Sequence, residues 1–412
     1  MENNKKIKLL IIGMSNSIHV TRWIENLSKL DWDIHLFPSI DIGYVNPRIR
    51  NVTVHHTIYT PQKNLDNSIR VKGINVLHST ILRFLQNQIT SRIKNFRRNR
   101  LIKLIQKLRP DIVHSMEFQH AGYLTMEAKE ILMDNFPKWI ATNWGNDIYL
   151  FSRLSSHSQK IKDILKNCDY YSCECQRDVC LAQNEGLQGK ILPVFPNTGG
   201  FHLKQVYKLR QPGQTSGRRL IMLKGYQGWT GRSLFVLKAL DLCANILKGY
   251  TLVIYSIDRS KSEFGQSDVE ISAELLSKKV GLPIKIISNG TDHTEILQLH
   301  GQARISIGAN ISDGVSTSFL EALTMGSFPI QSWTACADEW IKDGETGFLI
   351  DPEDPTNIAQ AIRRALTDDS LVDQAAQKNW QTASERLDFK IIENKIANFY
   401  QVVLKDEKKQ NH

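Results

Sequence analysis

Two hydrophobic periods alternate along this chain. Short, nearly continuous apolar runs are followed by stretches with helical spacing. KIKLLIIGM (6–14) is a buried-strand run ending at Gly13. SNSIHVTRWIENLSKL follows, with Ile18, Trp23, Ile24 and Leu27 on one helical face, and DIHLF is the next strand. DIVHSM (111–116) and KWIATNW (138–144) repeat the strand pattern, with a helix from about Ala121 between them. Leu192 to Phe195 precede the turn signal PNTGG, and the polar, basic stretch 202–219 reads as a linker. A second alternating half follows: strands RLIMLKG, YTLVIYSI, IKIIS, ISIGA and SFPIQS, with helices SLFVLKALDLCANIL, HTEILQLHGQA, one from about Phe319, and NIAQAIRRAL. The stretch 389–403 is a final amphipathic helix. Runs apolar throughout, rather than alternating, suit parallel strands covered on both faces. The expected fold is α/β, with two doubly wound Rossmann-like halves and ligands at the carboxyl ends of strands.

Length and composition agree. At ~150 residues per domain, 412 residues make two or three domains. Hydrophobic residues at 41% and charged residues at 23% exclude disordered, collagen-like and coiled-coil chains. No apolar run approaches the ~18 residues of a membrane span. The run 7–12 is short, contains Lys8 and precedes no small-residue cleavage site, so it reads as a strand rather than a signal peptide. A cytoplasmic protein is expected.

The net charge of +10 is localised. Between Asn67 and Pro110 there is no Asp or Glu, whereas eleven Lys and Arg residues occur, among them Arg97, Arg98 and Arg100. Ile81, Leu82, Leu85, Ile89, Ile93 and Phe96 give the segment 81–109 one apolar helical stripe beside a basic face. Three readings compete: a solvated helix packed on its own domain, a helix lying on an anionic membrane, and a nucleic-acid surface. No motif supports the last, and no nucleic-acid partner is expected. Four of the six cysteines lie between Cys168 and Cys180, but without CxxC spacing or a nearby His. Free thiols are the reading, and no metal site is expected.

Candidate chemistry concentrates in ISDGVSTSFLEALTMGSFPIQSWTACADEWIKDGETGFLIDPEDP. Seven residues separate Asp313 from Glu321. Gly314, Val315, Ser316, Thr317 and Ser318 form a turn into a helix N-terminus, which exposes unpartnered N–H groups to a phosphate or diphosphate. Glu321, two turns on, offers two acceptor oxygens to a ribose diol, or is a surface helix residue. Asp313 precedes the helix and reaches toward a sugar beyond the phosphates.

This stretch resembles the signature of retaining GT-B glycosyltransferases of family 4. Besides the acid pair it carries Gly326-Ser327-Phe328-Pro329, DGETGFL at 343–349 and DPEDP at 351–355. The first acid, usually Glu, is Asp313 here. The resemblance implies two Rossmann-like domains facing across a cleft: an acceptor-side domain over 1–203, a nucleotide-sugar domain over 204–380, and a helix over 381–412 crossing back. It implies a metal-independent hexosyltransferase reaction with retained configuration and no cofactor beyond the nucleotide-sugar co-substrate. Lys224 and Arg232 look like the family's two diphosphate cations with identities exchanged. Gly13 falls at the family's glycine loop. His120 falls where relatives carry a His near the transferred sugar, and His19 lies at a strand–helix junction. Trp144-Gly145-Asn146-Asp147 resembles a loop on the acceptor side, with Asp147 either contacting acceptor or capping a helix.

The leading expectation is therefore transfer of a sugar from a nucleoside-diphosphate donor to a carbohydrate or lipid-linked hydroxyl, in bacterial surface polysaccharide or glycolipid assembly, with 81–109 docking the protein on the inner face of the membrane. A nucleotide-sugar epimerase of the same architecture and a non-enzymatic binder of anionic surfaces are the alternatives. Donor base, sugar, acceptor and oligomeric state are not legible in the sequence.

Overall fold

The structure, a computed structural model, describes residues 6–92, 95–259 and 265–406. They form two compact units, one up to Gly199 and resuming at Ile392, the other from Gly200 to Ile391.

The first unit holds eight parallel strands: β1 (Lys8–Gly13), β2 (Asp33–Pro38), β3 (Thr53–Tyr59), β4 (Arg70–Asn75), β5 (Ile112–Met116), β6 (Lys138–Thr142), β7 (Tyr170–Ser172) and β8 (Lys190–Ile191). Their order is β4-β3-β2-β1-β5-β6-β7-β8. Its helices are α1 (Ile18–Asn26), α2 (Ser79–Arg92), α3 (Phe96–Leu108), α4 (Tyr123–Leu132), α5 (Asn146–Tyr149), α6 (Ser155–Asn167) and α7 (Gln176–Asn184). Successive side chains of β1 point to opposite faces. Leu9 and Ile11 join Trp23, Ile392 and Phe399 on one side, while Leu10 and Ile12 join Leu101, Trp139 and Ile161 on the other. Both layers exclude water from β1, which is why its run is continuously apolar.

The second unit holds α8 (Leu203–Tyr207) and six parallel strands: β9 (Leu220–Lys224), β10 (Thr251–Tyr255), β11 (Ile284–Ile286), β12 (Ala303–Gly308), β13 (Phe328–Ser332) and β14 (Phe348–Ile350). Their order is β11-β10-β9-β12-β13-β14. Around them lie α9 (Ser233–Leu242), α10 (Asp268–Val280), α11 (His293–Gln302), α12 (Thr317–Met325), α13 (Pro355–Thr367) and α14 (Asp369–Arg386). The expected boundary at 380/381 falls inside the unbroken α14. α15 (Phe389–Lys405) belongs to the first unit from Ile392. There Tyr400 accepts a hydrogen bond from Trp23 Nε1 at 2.8 Å and meets His114 Nδ1 at 2.7 Å.

Two expectations are corrected. The basic segment is two helices, not one. The chain turns before α3 at Asn95, whose φ of 60° lies in the left-handed region that Asn tolerates. Ile93 and Lys94 lie outside the described residues, as do the side chains of Arg83, Ile89 and Arg92. Part of the basic face also turns inward: Arg97 pairs with Asp41 at 3.2 Å and Arg100 donates to the His56 carbonyl at 3.0 Å. The stretch 202–219, in turn, is no open linker. Arg218 is buried and donates to the carbonyls of Ala303 and Met325, while Thr215 donates to the carbonyl of Gly326. The Met325 and Gly326 carbonyls lie at the C-terminal end of α12, where a cation also complements the helix dipole, and the Ala303 carbonyl lies where α11 passes into β12. Gly326 ends α12 with φ 74°, and a Cβ there would strike the Arg210 guanidinium.

Candidate active site

In each sheet the chain progresses outward in both directions from a central pair of strands. Such a reversal leaves a crevice at the carboxyl ends of the pair, because the two following loops diverge. In the second unit the pair is β9 and β12; in the first it is β1 and β5.

At the β9/β12 reversal, Lys224 ends β9 and its Nζ reaches Ser316 Oγ at 3.3 Å. Ser316 is the N-cap of α12, yet no side chain caps this helix. Its Oγ is turned to Ser318 Oγ, 2.9 Å away. The Thr317 hydroxyl is buried without a partner. By contrast α10, α11, α13 and α14 are capped by Ser267, Asp292, Asp354 and Asp368. A helix start left uncapped beside a lysine, with hydroxyls around it, is suited to an anion.

The remaining predicted residues of this unit are placed as follows. Gly314 and Val315 are buried in the turn before α12. Asp313 folds back on its loop, accepting from Gly314 N at 3.0 Å and Asn310 Nδ2 at 3.3 Å. The loop before α9 is tied to the Asp313 loop through Arg232 N to Ala309 O at 2.8 Å and Ile311 N to Thr230 O at 2.9 Å. The Arg232 guanidinium itself is turned to Glu353, with Nε 2.7 Å from Oε1, and to the carbonyls of Gly228 and Gly231. Lys224 is therefore at the α12 N-terminus, whereas Arg232 is held by an acid of the DPEDP segment. Glu321 is buried rather than a surface helix residue, and its Oε1 lies 2.6 Å from His293 Nε2.

At the β1/β5 reversal, Gly13 ends β1. A Cβ there would lie 3.0 Å from Val20 and 3.5 Å from Met116, so glycine permits close packing of strand end and helix. The His19 ring lies 5.2 Å from that of Trp144. Directly after β5, Glu117 has φ 82° and ψ 156°, a region costly to any residue with a Cβ. Its buried carboxylate accepts from His120 N and Ala121 N, opening a single π-turn over Phe118–Gly122. His120 is half exposed with Nδ1 3.4 Å from Glu117 Oε2, a contact that raises its basicity against the opposing effect of partial burial. Asp147 is buried and accepts from Trp144 N at 2.8 Å and Phe118 N at 3.0 Å. Burial, then the nearby Glu117 charge, push its carboxyl above the usual carboxylate range. Asp147 thus pins two loops together from within α5, whose N-cap is Gly145. Gly13, His19, His120 and Asp147 do gather at one edge of this sheet.

Sequence reasoning missed Glu117, His293 and Glu353. Glu117 had a signal, since an acid directly follows a buried strand. His293 had none, because its partner is remote in sequence. The cysteines are free thiols, buried except for Cys180. Among the described residues no helix is long and apolar enough to cross a membrane.

Two parallel doubly wound units with crevices of this kind define a GT-B fold. Known structures agree. A glycosyltransferase from Rickettsia africae is 16% identical, with a TM-score of 0.65 over 98% of this chain and 100% of its own. Anabaena HepE in complex with UDP-glucose is 14% identical, with a TM-score of 0.65 over 96% of this chain and all of its own. Sucrose-phosphate synthase from Thermosynechococcus elongatus is 14% identical, with a TM-score of 0.65 over 97% of this chain and 99% of its own. No curated protein matches the sequence. Family models do: residues 8–174 match the glycosyl transferase 4-like family, and residues 234–383 match glycosyl transferases group 1. Together these stretches span more than half of the chain, which belongs to the glycosyltransferases of this group.

Proposed function

We propose that this glycosyltransferase moves a hexosyl group, with retained anomeric configuration and without a metal, from a nucleoside-diphosphate sugar to a hydroxyl of a carbohydrate or lipid-linked acceptor. The uncapped N-terminus of α12, with Lys224 at its N-cap Ser316 and Glu321 just over one turn on, carries the reading. Its amides and Lys224 take the diphosphate, and Glu321 takes the ribose. As the bond from the anomeric carbon to the diphosphate oxygen breaks, negative charge grows on the leaving group, where fixed donors and a cation stabilise it. The acceptor oxygen bonds to the same face of that carbon, and its proton passes to the departing phosphate. Asp313 positions the sugar. Arg232 joins the phosphate when it exchanges Glu353 for it. His120, made more basic by Glu117, serves the sugar or acceptor, as does His19; Gly13 lines the donor side.

HepE is described with UDP-glucose, which makes a uridine diphosphate donor the first to test here. Calorimetric titration of UDP, GDP, ADP and CMP, without divalent metal, into wild type and Glu321→Ala tests the donor site. One diphosphate should bind, and the substitution should weaken it. Failure of every nucleotide to bind would refute the reading.

We further assign a membrane-facing surface to the first unit. Ile74, Leu77, Ile81 and Phe84 are 63%, 78%, 49% and 62% exposed, and Arg70 and Lys72 beside them are exposed cations. An apolar patch flanked by cations suits an anionic bilayer interface. It supports a lipid-linked acceptor, bacterial surface polysaccharide or glycolipid assembly, and work at the inner face of the membrane.

A further inference from the structure

We propose that His293 is the positioning residue that makes Glu321 a ribose-reading carboxylate, so that discrimination between ribose and deoxyribose nucleotides runs through this histidine. The proposal rests on the donor-site reading of Glu321.

Glu321 sits in the middle of α12 with a side chain only 6% exposed. A buried carboxylate needs donors to hold it, and its three side-chain torsions need fixing before it can read a diol. The donor comes from the neighbouring helix. α11 begins at His293, where Asp292 accepts from Thr294 N at 2.8 Å. That cap fixes the first turn of α11 and directs His293 Nε2 to Glu321 Oε1 at 2.6 Å. Because a carboxylate only accepts, Nε2 carries the hydrogen.

A second imidazole bounds the carboxylate from the same helix. His300, two turns on, is fully buried, and its Nε2 lies 4.0 Å from Glu321 Oε2. Its Nδ1 meets Ser306 Oγ at 2.9 Å, Ser306 Oγ meets Ser327 Oγ at 2.8 Å, and the Tyr255 ring packs edge-on at 5.4 Å. Burial drives the His300 basicity down, so this wall is neutral. His300 therefore bounds the carboxylate without neutralising it, while His293, with a side chain 30% exposed, grips one oxygen from the accessible side. The two imidazoles thus fix the orientation in which the Glu321 carboxylate would accept from vicinal hydroxyls.

The test is affinity for UDP and for 2′-deoxy-UDP, or the equivalent pair for whichever base the titration selects. His293→Gln places an amide N–H near the Nε2 position, whereas the amide of His293→Asn stands nearer Nδ1 and falls short of Glu321. Both are polar at a helix start and should fold; His293→Asn, which takes a donor from a buried carboxylate, should lower the thermal midpoint by a few degrees, and His293→Gln by less. His293→Asn should weaken UDP about tenfold and bring the UDP to 2′-deoxy-UDP preference close to one, while His293→Gln should restore most of both. Equal weakening of the two nucleotides by His293→Asn, or none, would overturn the proposal. Loss of the preference in Glu321→Ala but not in His293→Asn would overturn it while sparing the ribose reading. An intact preference in Glu321→Ala would remove the ribose reading and this proposal together.

Discussion

Acidification should destabilise the first unit through His114, and the size of the effect follows from the structure. His114 lies on β5, is fully buried, and has both ring nitrogens engaged, Nδ1 with Tyr400 at 2.7 Å and Nε2 with Thr142 at 2.7 Å. Burial lowers its pKa from 6.5 to about 3. The unfolded chain therefore takes a proton as pH falls through 6.5, and the folded one does not. Stability from this group is complete above pH 6.5 and is lost progressively toward pH 3. At about 1.4 kcal/mol per pH unit, the loss at pH 5 is about 2 kcal/mol. His114→Gln removes the titration. At pH 7.5 it should cost about 1–3 kcal/mol for the disturbed buried hydrogen bonds, and the gap from wild type should narrow by about 2 kcal/mol at pH 5. Other titrating groups are common to both proteins and cancel in the difference. Urea unfolding at pH 7.5, 6.5, 5.5 and 5.0, followed by tryptophan fluorescence, reads this directly; Trp23 stands 5.4 Å from the His114 ring. Parallel pH profiles for the two proteins would refute the reasoning.

Three further outcomes are expected. Lys224→Ala should lower kcat by about 10²–10³, and Arg232→Ala should lower it less because that guanidinium is already paired with Glu353; steady-state rates with the identified donor decide the order. Asp147→Ala should cost about 2–3 kcal/mol by stranding the Trp144 and Phe118 N–H groups, while Asp147→Asn keeps an acceptor and should cost less, as thermal melts will show. Replacing Leu77 and Phe84 together by Ser should reduce binding to anionic vesicles while leaving binding to neutral vesicles weak, and rising salt should weaken the wild type; unchanged sedimentation with anionic vesicles would exclude the assigned surface.

The strands that fill the centre of both sheets were legible because each is apolar throughout and short. β3 and β4 were not. Mixing of His, Thr and apolar residues hides β3 (TVHHTIY), and the edge strand β4 carries Arg70 and Lys72 in the open. The basic segment misled for a related reason: helical spacing continues across Asn95, although Asn95 itself leaves the helical conformation. In the donor half, the turn and helix at 313–325 were read from residue types at fixed offsets. What those residues face was not. Arg232 looks like a diphosphate cation in the sequence, and only the approach of the 351–355 segment turns it to Glu353.

The sequence by itself determined the alternation of strands and helices, the glycosyltransferase motif, and the turn that starts α12, because all of these are local. Hydrophobic period, turn chemistry and motif spacing act over tens of residues at most. Only the tertiary structure decided which strands stand side by side at the two reversals, that Lys224 meets Ser316 across 92 positions of chain, and that Glu321 is gripped by His293 from another helix. Such pairings depend on strand order and helix packing. Those are fixed by burial of the whole core and leave no period or spacing for the sequence to display.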